Sequence, residues 1–310
     1  MDQQIPISFQ MQFFNSVMLL AQTQQSILFD TVGFHDGYTG SSVTPVEMFG
    51  RFDLIKKTGR SEKTPVSEIE IFKPWLYPED YHGAILTDWA DLLKAGAGTQ
   101  SGFVQSVSKS AGRRWDNLIL RGFFANLWHG QKGLEQMPFD FTNNTVSVGV
   151  GASSATGLNT RKIEMGLKKL KQQSLFLGYE EVFMVLDSTG NDQLIRDIKA
   201  VHKDFEKLGG KIEKGMLLEY QGVKFKHIEF LNPVEYPDAE DLFDADTNVA
   251  LYPMYVKSRM HLGAWKSFSM KAAERPDLSH AQQIYAYMSA NATRLEKSTG
   301  VLAIESDVTK

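Results

Sequence analysis

A long amphipathic pattern at residues 101–130 constrains the fold more than any other feature of this 310-residue chain. Apolar residues recur there at the spacing of one helix face: Val104, Val107, Ala111, Trp115, Leu118 and Gly122. At 1.5 Å per residue, roughly 28 helical residues span about 40 Å. The pattern therefore predicts one helix that forms the spine of an elongated domain. Gly112 and Gly122 weaken such a helix by about 1 kcal/mol each relative to alanine, or else allow another backbone to approach closely.

Shorter patterns surround this helix. Residues 74–89, which precede it, show no period and are interpreted as a connector. After it, a compact α/β pattern contains a continuous apolar run at residues 181–186, which predicts a strand buried on both faces. Gln221-Gly222 predicts a hairpin turn between two further strands. The chain closes on predicted strands at residues 283–288 and 301–305.

The first 30 residues mix apolar side chains with glutamine and lack a sustained period. Phe14 and Met18 would share one face of a short helix, with Phe13 beside them. Such a segment is typical of an arm that lies on a neighbouring copy, and the alternative is a mobile terminus. Phe13, Phe14 and Met18 are therefore candidate inter-subunit contacts. No cationic leader precedes them, so no signal peptide is predicted.

A basic segment that contains turn residues follows the first 50 residues. Residues 52–57 and 66–72 are predicted to be two short strands that flank a tip punctuated by Gly59 and Pro65. An isolated two-stranded hairpin is only marginally stable, so it needs a surface to lie on. The cations around its tip are candidate inter-subunit contacts: Lys56, Lys57, Arg60 and Lys63. The alternative is a solvated surface hairpin whose cations face water.

Composition excludes several classes of function. The chain has no cysteine, which rules out disulfides, thiolate metal sites and cysteine nucleophiles. A net charge of −4 and a pI near 6.0 argue against a dedicated nucleic-acid-binding protein. No stretch approaches the ~18 apolar residues of a membrane-spanning helix, so no membrane partner is expected. A hydrophobic content of 42% suffices for a substantial core.

Motifs for catalytic and cofactor sites are also missing. Gly149, Gly151 and Gly157 lack the spacing of a dinucleotide-binding loop, and no P-loop or GxSxG motif occurs. The seven histidines form no HxxxH or HxH pair, so neither a metal site nor a cofactor is expected. Asp187 follows a predicted strand, where α/β enzymes place functional groups. Capping of the next helix explains Asp187 more simply, so no catalytic residue is assigned.

The order of these parts resembles the tailed-phage major capsid proteins of the Hong Kong 97 fold. Gly112-Arg113-Arg114-Trp115-Asp116 is similar to the corresponding part of the long helix in a large group of phage capsid proteins. Four C-terminal segments resemble the last strands of the same group: Arg275-Pro276-Asp277, Ala281-Gln282-Gln283-Ile284-Tyr285, Ala292-Thr293-Arg294 and Gly300-Val301-Leu302-Ala303-Ile304. The resemblance covers nearly the whole chain.

The resemblance implies an α+β fold of the Hong Kong 97 type, with five consecutive parts. They are an N-terminal arm at residues 1–50, an extended two-stranded loop at 51–86, a peripheral domain with the spine helix at 87–140, an axial domain at 141–265, and C-terminal strands of the peripheral domain at 266–310.

The same resemblance implies a function that is structural and not enzymatic. The expected protein self-assembles through hexamers and pentamers into an icosahedral shell around the double-stranded DNA of a tailed bacteriophage. It would be assembled in the host cytoplasm and reside in the virion. The expected partners are further copies, a separate scaffold protein, a portal, packaged DNA contacted without sequence specificity, and a decoration protein where one exists. Weak contacts suffice in such a shell because closed symmetry repeats each of them many times.

Two alternatives stay open on the sequence alone. A cytoplasmic α/β enzyme with an oligomerisation arm would show a discrete pocket with perturbed titrating groups. A nanocompartment shell protein of the same fold would share the arm and the long helix. The C-terminal segments favour the phage protein over the nanocompartment.

Overall fold

The computed structural model describes residues 26–50, 54, 56–59, 66, 69, 71–87, 98–151, 154–173, 180–201, 211–233, 235–237, 242–278, 281–296 and 299–309. The α-helices within those ranges are α1 (Gly98–Phe124), α2 (Thr160–Gln172) and α3 (Ser188–Val201). None of the helices in this described part combines the length and the hydrophobicity needed to cross a membrane.

The strands of the same ranges outnumber the helices and are distributed along the whole described chain. They are β1 (Gly33–Asp36), β2 (Met48–Phe49), β3 (Ile71–Phe72), β4 (Pro74–Trp75), β5 (Glu79–Thr87), β6 (Leu127–His129), β7 (Glu135–Met137), β8 (Thr145–Val146), β9 (Val182–Leu186), β10 (Lys211–Glu213), β11 (Met216–Tyr220), β12 (Val223–His227), β13 (Phe243–Asp244), β14 (Val249–Val256), β15 (Met260–Arg275), β16 (Ala281–Arg294) and β17 (Val301–Asp307).

The larger sheet has the strand order β10-β11-β12-β9-β14-β17-β8, with β13 paired to β14. All five residues of its central strand β9 are buried, which confirms the prediction from the continuous apolar run. Gln221 and Gly222 join β11 to the antiparallel β12 with positive φ angles of 49° and 83°. Positive φ at both positions is what a tight hairpin turn requires, so the hairpin prediction is confirmed.

The second sheet has the order β1-β15-β16-β5, and α1 packs along β16. A Cβ atom at Gly122 would lie 2.5 Å from the carbonyl oxygen of Ala292 on β16. The helix and the strand therefore approach as closely as the missing side chain allows, which is one of the two roles predicted for this glycine.

The helix α1 connects the two sheets. On one side it packs against β16, and on another Phe123 lies 5.8 Å, ring to ring, from Tyr255 at the end of β14. Trp115, Leu118, Ile119 and Phe123 are all buried in the same core cluster as the central strands of the larger sheet. The spine predicted from the amphipathic pattern therefore exists, and its apolar stripe is buried from Ala111 onward.

Two boundaries of the predicted elements are wrong. The helix ends at Phe124, not at residue 130, because residues 127–129 form β6 and pair with β4 and β7. Residues 79–87, interpreted as part of a connector, form β5, which pairs along its whole length with β16. Neither segment has a local sequence pattern that predicts a strand. Each becomes a strand because its backbone hydrogen-bonds to the neighbouring strand in the sheet.

The loop also differs from the prediction, and the two C-terminal strands lie in different sheets. β16 lies in the second sheet, whereas β17 pairs with β14 and β8 in the larger one. In the loop, the described strand residues are Ile71–Phe72, which pair with Met48–Phe49. Leu54 and residues 56–59 are outside strands. The first strand of the pair at the base of the loop therefore lies at residues 48–49, before the predicted strand at 52–57.

Candidate assembly surface

The described chain begins beside the middle of α1. The side-chain carboxylate of Asp116, on that helix, accepts hydrogen bonds from the hydroxyl of Ser26 and from the backbone N–H groups of Ile27 and Leu28 at 3.3 and 2.9 Å. Leu28 is fully buried. Burial raises the pKa of Asp116, and the hydrogen bonds from Ser26 and Leu28 oppose that rise. Residues 26–28, near the middle of the predicted arm (1–50), are thus fixed to the helix by one buried carboxylate.

A second contact holds the residues that follow. The hydroxyls of Thr31 and Tyr255 are hydrogen-bonded at 2.6 Å, and both side chains are buried. Strand β1 then pairs in parallel with the start of β15. The Tyr38 hydroxyl and the Nε2 atom of His261 lie 3.0 Å apart, and burial lowers the pKa of His261 to about 4. His261 is therefore neutral at physiological pH.

The candidate inter-subunit residues divide into two groups. Lys56 and Lys57 lie in the described part of the loop and are exposed. The other candidates fall outside the described residues: Phe13, Phe14, Met18, Arg60 and Lys63. The structure thus places two of the seven candidates, both of them cations at the surface.

Exposed apolar side chains in the same loop were missed by the sequence reasoning. Leu54 and Val66 are 90% and 92% exposed, and Phe49 at the base of the loop is 67% exposed. Clustered apolar exposure marks interaction sites on soluble proteins. The local sequence carries no signal for them, because an apolar residue looks the same in the sequence whether the fold buries it or leaves it in water.

The base of the loop is attached to the body by a polar cluster. Glu79 on β5 accepts hydrogen bonds from Arg121 and Tyr81, each at 2.6 Å, and from Asn291 at 3.2 Å. Burial raises the pKa of Glu79, but these hydrogen bonds outweigh it, so the pKa lies below its usual value. Burial and the nearby Glu79 together raise the pKa of Tyr81 to about 12. The cluster therefore links β5, α1 and β16 through hydrogen bonds.

A buried arginine defines the end of α1. Arg294 on β16 is fully buried, and its guanidinium donates to the carbonyl oxygens of Phe123 at 3.2 Å and Met137 at 2.9 Å, and also to that of Ala125. Burial lowers its pKa to about 10. The last carbonyl groups of a helix lack partners within the helix itself. Arg294 binds the carbonyl oxygen of Phe123 and that of Ala125, the residue after the helix, and so stabilises the chain where the helix ends.

The region where an α/β enzyme would place its site is occupied by structural contacts. Asp187 accepts hydrogen bonds at 2.7 Å from the N–H of Gly190 and from the hydroxyl of Tyr252. Asp187 therefore caps α3, as the sequence reasoning proposed. Burial raises the pKa of Tyr252 well above its usual value. In the described residues no three His, Asp or Glu side chains are grouped so that they could hold a metal ion.

The glycine-rich segment before α2 is attached to the larger sheet by a buried lysine. The ammonium group of Lys162 donates to the carbonyl oxygens of Thr156, Gly157 and Glu305 at 2.8, 3.0 and 2.9 Å. Burial lowers the pKa of Lys162 to about 8, and Glu305 and Asp307 oppose that shift. A Cβ atom at Gly157 would lie 2.8 Å from the side chain of Gln193. Gly157 therefore serves close packing within the chain.

Comparison with known proteins identifies what this arrangement is similar to. The family described as phage capsid protein matches residues 5–308. No curated protein matches the chain by sequence.

Solved structures of similar fold come from phage shells. The head structure of Helicobacter pylori bacteriophage KHP40 matches with a TM-score of 0.67 at 11% identity, covering 92% of each chain. The capsid of cyanophage Pam1 matches with a TM-score of 0.63 at 10% identity, covering 92% of this chain and 93% of that one. The mature capsid of bacteriophage PhiM1 matches with a TM-score of 0.61 at 10% identity, covering 91% and 87%. At these identities the structural likeness establishes the fold, which is of the Hong Kong 97 type.

Proposed function

This chain belongs to the phage capsid protein family and is a major capsid protein of a tailed phage, and we propose that the N-terminal arm and the basic loop make the contacts that close its shell. The family match over residues 5–308 is the observation that carries the function. The protein is a structural component that self-assembles into an oligomeric shell and resides in the capsid of the virion.

The proposed contacts comprise the seven residues predicted from the sequence and the apolar side chains beside them. The former are Phe13, Phe14, Met18, Lys56, Lys57, Arg60 and Lys63. The exposure of Lys56, Lys57, Leu54 and Val66 supports the loop as a contact surface. A loop with so much apolar surface gains burial when it lies on a neighbouring subunit, and this gain is repeated at each symmetry-related position.

The proposed division into domains follows the five parts expected from the sequence, with one change. The arm (1–50), the loop (51–86), the peripheral domain with the spine helix (87–140) and the axial domain (141–265) keep their ranges. Within the C-terminal part (266–310), β17 pairs with β14 and β8, so we assign residues 301–309 to the axial domain. The long strands β15 and β16, which pair with β5 beside α1, stay with the peripheral domain.

Several finer aspects of the function belong to the same proposal. The protein has no enzymatic role, is assembled in the host cytoplasm, and forms hexamers and pentamers with the help of a scaffold protein and a portal. A decoration protein binds the outside of the shell where one exists. A net charge of −4 supports loose, non-specific contact with packaged double-stranded DNA, since tight phosphate binding requires many cations.

Negative-stain electron microscopy of the purified protein, alone and co-expressed with its genomic neighbours, tests the proposal. Closed polyhedral shells or hexamer and pentamer rings are expected. Deleting residues 1–25 should abolish closed shells while the remaining chain stays folded, since the cut precedes the buried Leu28. A monodisperse small oligomer of the full chain under every condition would contradict the assembly, and normal shells from the truncated chain would contradict the role of the arm.

A further inference from the structure

Asp116 has an unusual environment for a carboxylate. It is almost fully buried on α1, and among the described residues its hydrogen-bond donors are Ser26, Ile27 and Leu28. All three donors thus come from one short segment, 88 to 90 residues earlier in the chain.

Burying this carboxylate costs free energy. A charge is removed from water, two of its three donors within the described chain are neutral backbone groups, and the third is a neutral hydroxyl. Desolvation accordingly raises the pKa of Asp116. An apolar side chain would avoid this desolvation but would leave the Ser26 hydroxyl and the buried N–H of Leu28 without this acceptor, so the cost is offset by what the carboxylate provides. What it provides is a fixed position for the backbone at residues 26–28.

The neighbouring contacts make this position a defined one. The N–H of Phe29 donates to the Ser26 hydroxyl at 3.0 Å, so Ser26 links the carboxylate to the next turn of the chain. The Phe29 ring meets the Trp115 ring edge-on at 6.1 Å. The path of the chain is therefore set at two adjacent residues of α1, by the carboxylate of Asp116 and by the ring of Trp115.

We propose that Asp116 is the positioning residue of the N-terminal arm: it fixes the point on the spine helix from which residues 1–25 extend, and so determines whether the arm reaches a neighbouring copy. This inference rests on the proposed function, because it requires the arm to contact another subunit. It differs from a purely structural role, which would affect the stability of the isolated subunit and leave assembly of the folded protein unchanged.

The test uses three full-length variants. Asp116→Asn keeps the size of the side chain but replaces one acceptor oxygen by a donor that faces backbone N–H groups. Ser26→Ala removes the hydroxyl donor and leaves the carboxylate in place. Asp140→Asn is the matched control, because the Asp140 carboxylate also accepts two hydrogen bonds, from Asn143, but at an exposed site. Hydrogen exchange, thermal melting of the unassembled subunit, and shell yield by sedimentation and microscopy are measured for each.

The expected result separates assembly from folding. In Asp116→Asn the amides of Ile27 and Leu28 should exchange about tenfold faster or more, melting should change little, and shell yield should fall severalfold. Ser26→Ala should change the exchange rates and the shell yield in the same direction but by less. Asp140→Asn should match the unmodified protein in both. If Asp116→Asn does not fold, Ser26→Ala decides. Normal shell yield despite faster exchange, or unchanged exchange, would overturn the inference; absence of shells from the unmodified protein would instead overturn the proposed function.

Discussion

The centre of the larger sheet and the loop region make opposite use of apolar residues. In β9 every side chain is buried, and the residues of β14 beside it and of β17 beyond β14 are almost all buried. In the loop region, Leu54, Val66 and Phe49 leave most of their apolar surface in water. Burial contributes roughly 25 cal/mol per Å² of apolar surface, so the first region stabilises the subunit by itself and the second does not.

This contrast indicates where stability and assembly are located. Local stability varies across a protein with the density of buried contacts. Substitutions in the sheet and beneath α1 should therefore act on folding. Substitutions in the loop should act on the association of copies. The following predictions rank from the largest expected effect on subunit stability to the smallest.

Phe123→Ala should have the largest effect. Phe123 is buried and its ring lies 5.6 Å from that of Phe139 and 5.8 Å from that of Tyr255, so it joins α1 to the larger sheet. Truncating a buried phenylalanine costs about 3–5 kcal/mol. Urea denaturation of the unassembled subunit measures the loss. A cost below about 1 kcal/mol would show that α1 is not packed against the sheet as described.

Acidification should weaken the contact between His261 and Tyr38, which lies beside the paired strands β1 and β15. The pKa of His261 is about 4 in the folded protein and about 6.5 when unfolded, so the unfolded state binds more protons between these values. The contribution of the neutral His261 to the free energy of unfolding is fully present above pH 6.5. It is lost as the pH falls, by about 2 kcal/mol between pH 7 and pH 5.

Denaturation at both pH values checks this prediction. His261→Gln should remove most of the pH-dependent loss, whereas His82→Gln should keep it, because His82 is exposed. Equal pH dependence in the His261→Gln variant and the unmodified protein would contradict the prediction.

Gly122→Ala tests the close approach of α1 and β16. The added Cβ would lie 2.5 Å from the Ala292 carbonyl oxygen, so the helix must move away. We expect a net loss of about 1–2 kcal/mol, because overpacking outweighs the gain in helix propensity. Gly83→Ala on β5 is the control, since among the described residues no atom beyond its own chain neighbours lies within 4 Å of the position that its added Cβ would take. Melting temperatures that fall equally for both variants would argue against a specific contact.

Reversing the charges of Lys56 and Lys57 to glutamate should have the smallest effect on the subunit. Substitutions at exposed positions change stability by about 0.5 kcal/mol or less, and both lysines are exposed. Shell yield should nevertheless fall severalfold. Glutamate at Lys168 and Lys171, which are exposed on α2, is the matched control for net charge. Unchanged shell yield in the loop variant would remove these lysines from the proposed contact surface.

Local patterns in the sequence are sufficient to predict several elements of this protein. The periodicity of apolar residues predicts α1, the apolar run predicts β9, and the turn residues predict the β11-β12 hairpin. The cap at Asp187 is predictable in the same way. Each of these depends on residues within a few turns of the chain, so the information is present in the local sequence. The family resemblance adds the order of the parts, which none of these patterns contains.

The candidate assembly surface is only partly accessible from the sequence. The basic residues of the loop are identified there, but the exposed Leu54, Val66 and Phe49 are not, because an apolar residue gives no local sign of being left in water. Asp116 stands out only as part of a motif and receives no role from it, since its donors lie 88 to 90 residues away.

The amino-acid sequence alone thus specifies the long helix, the central buried strand and the hairpin turn, and the family to which their order belongs. The folded chain was needed to establish that residues 79–87 form a strand, that β17 joins the larger sheet, and that α1 ends at Phe124, where Arg294 binds the carbonyl oxygen of Phe123. Strand pairing and the capping of a helix by a distant side chain are contacts between remote parts of the chain, and their hydrogen bonds form only after those parts meet.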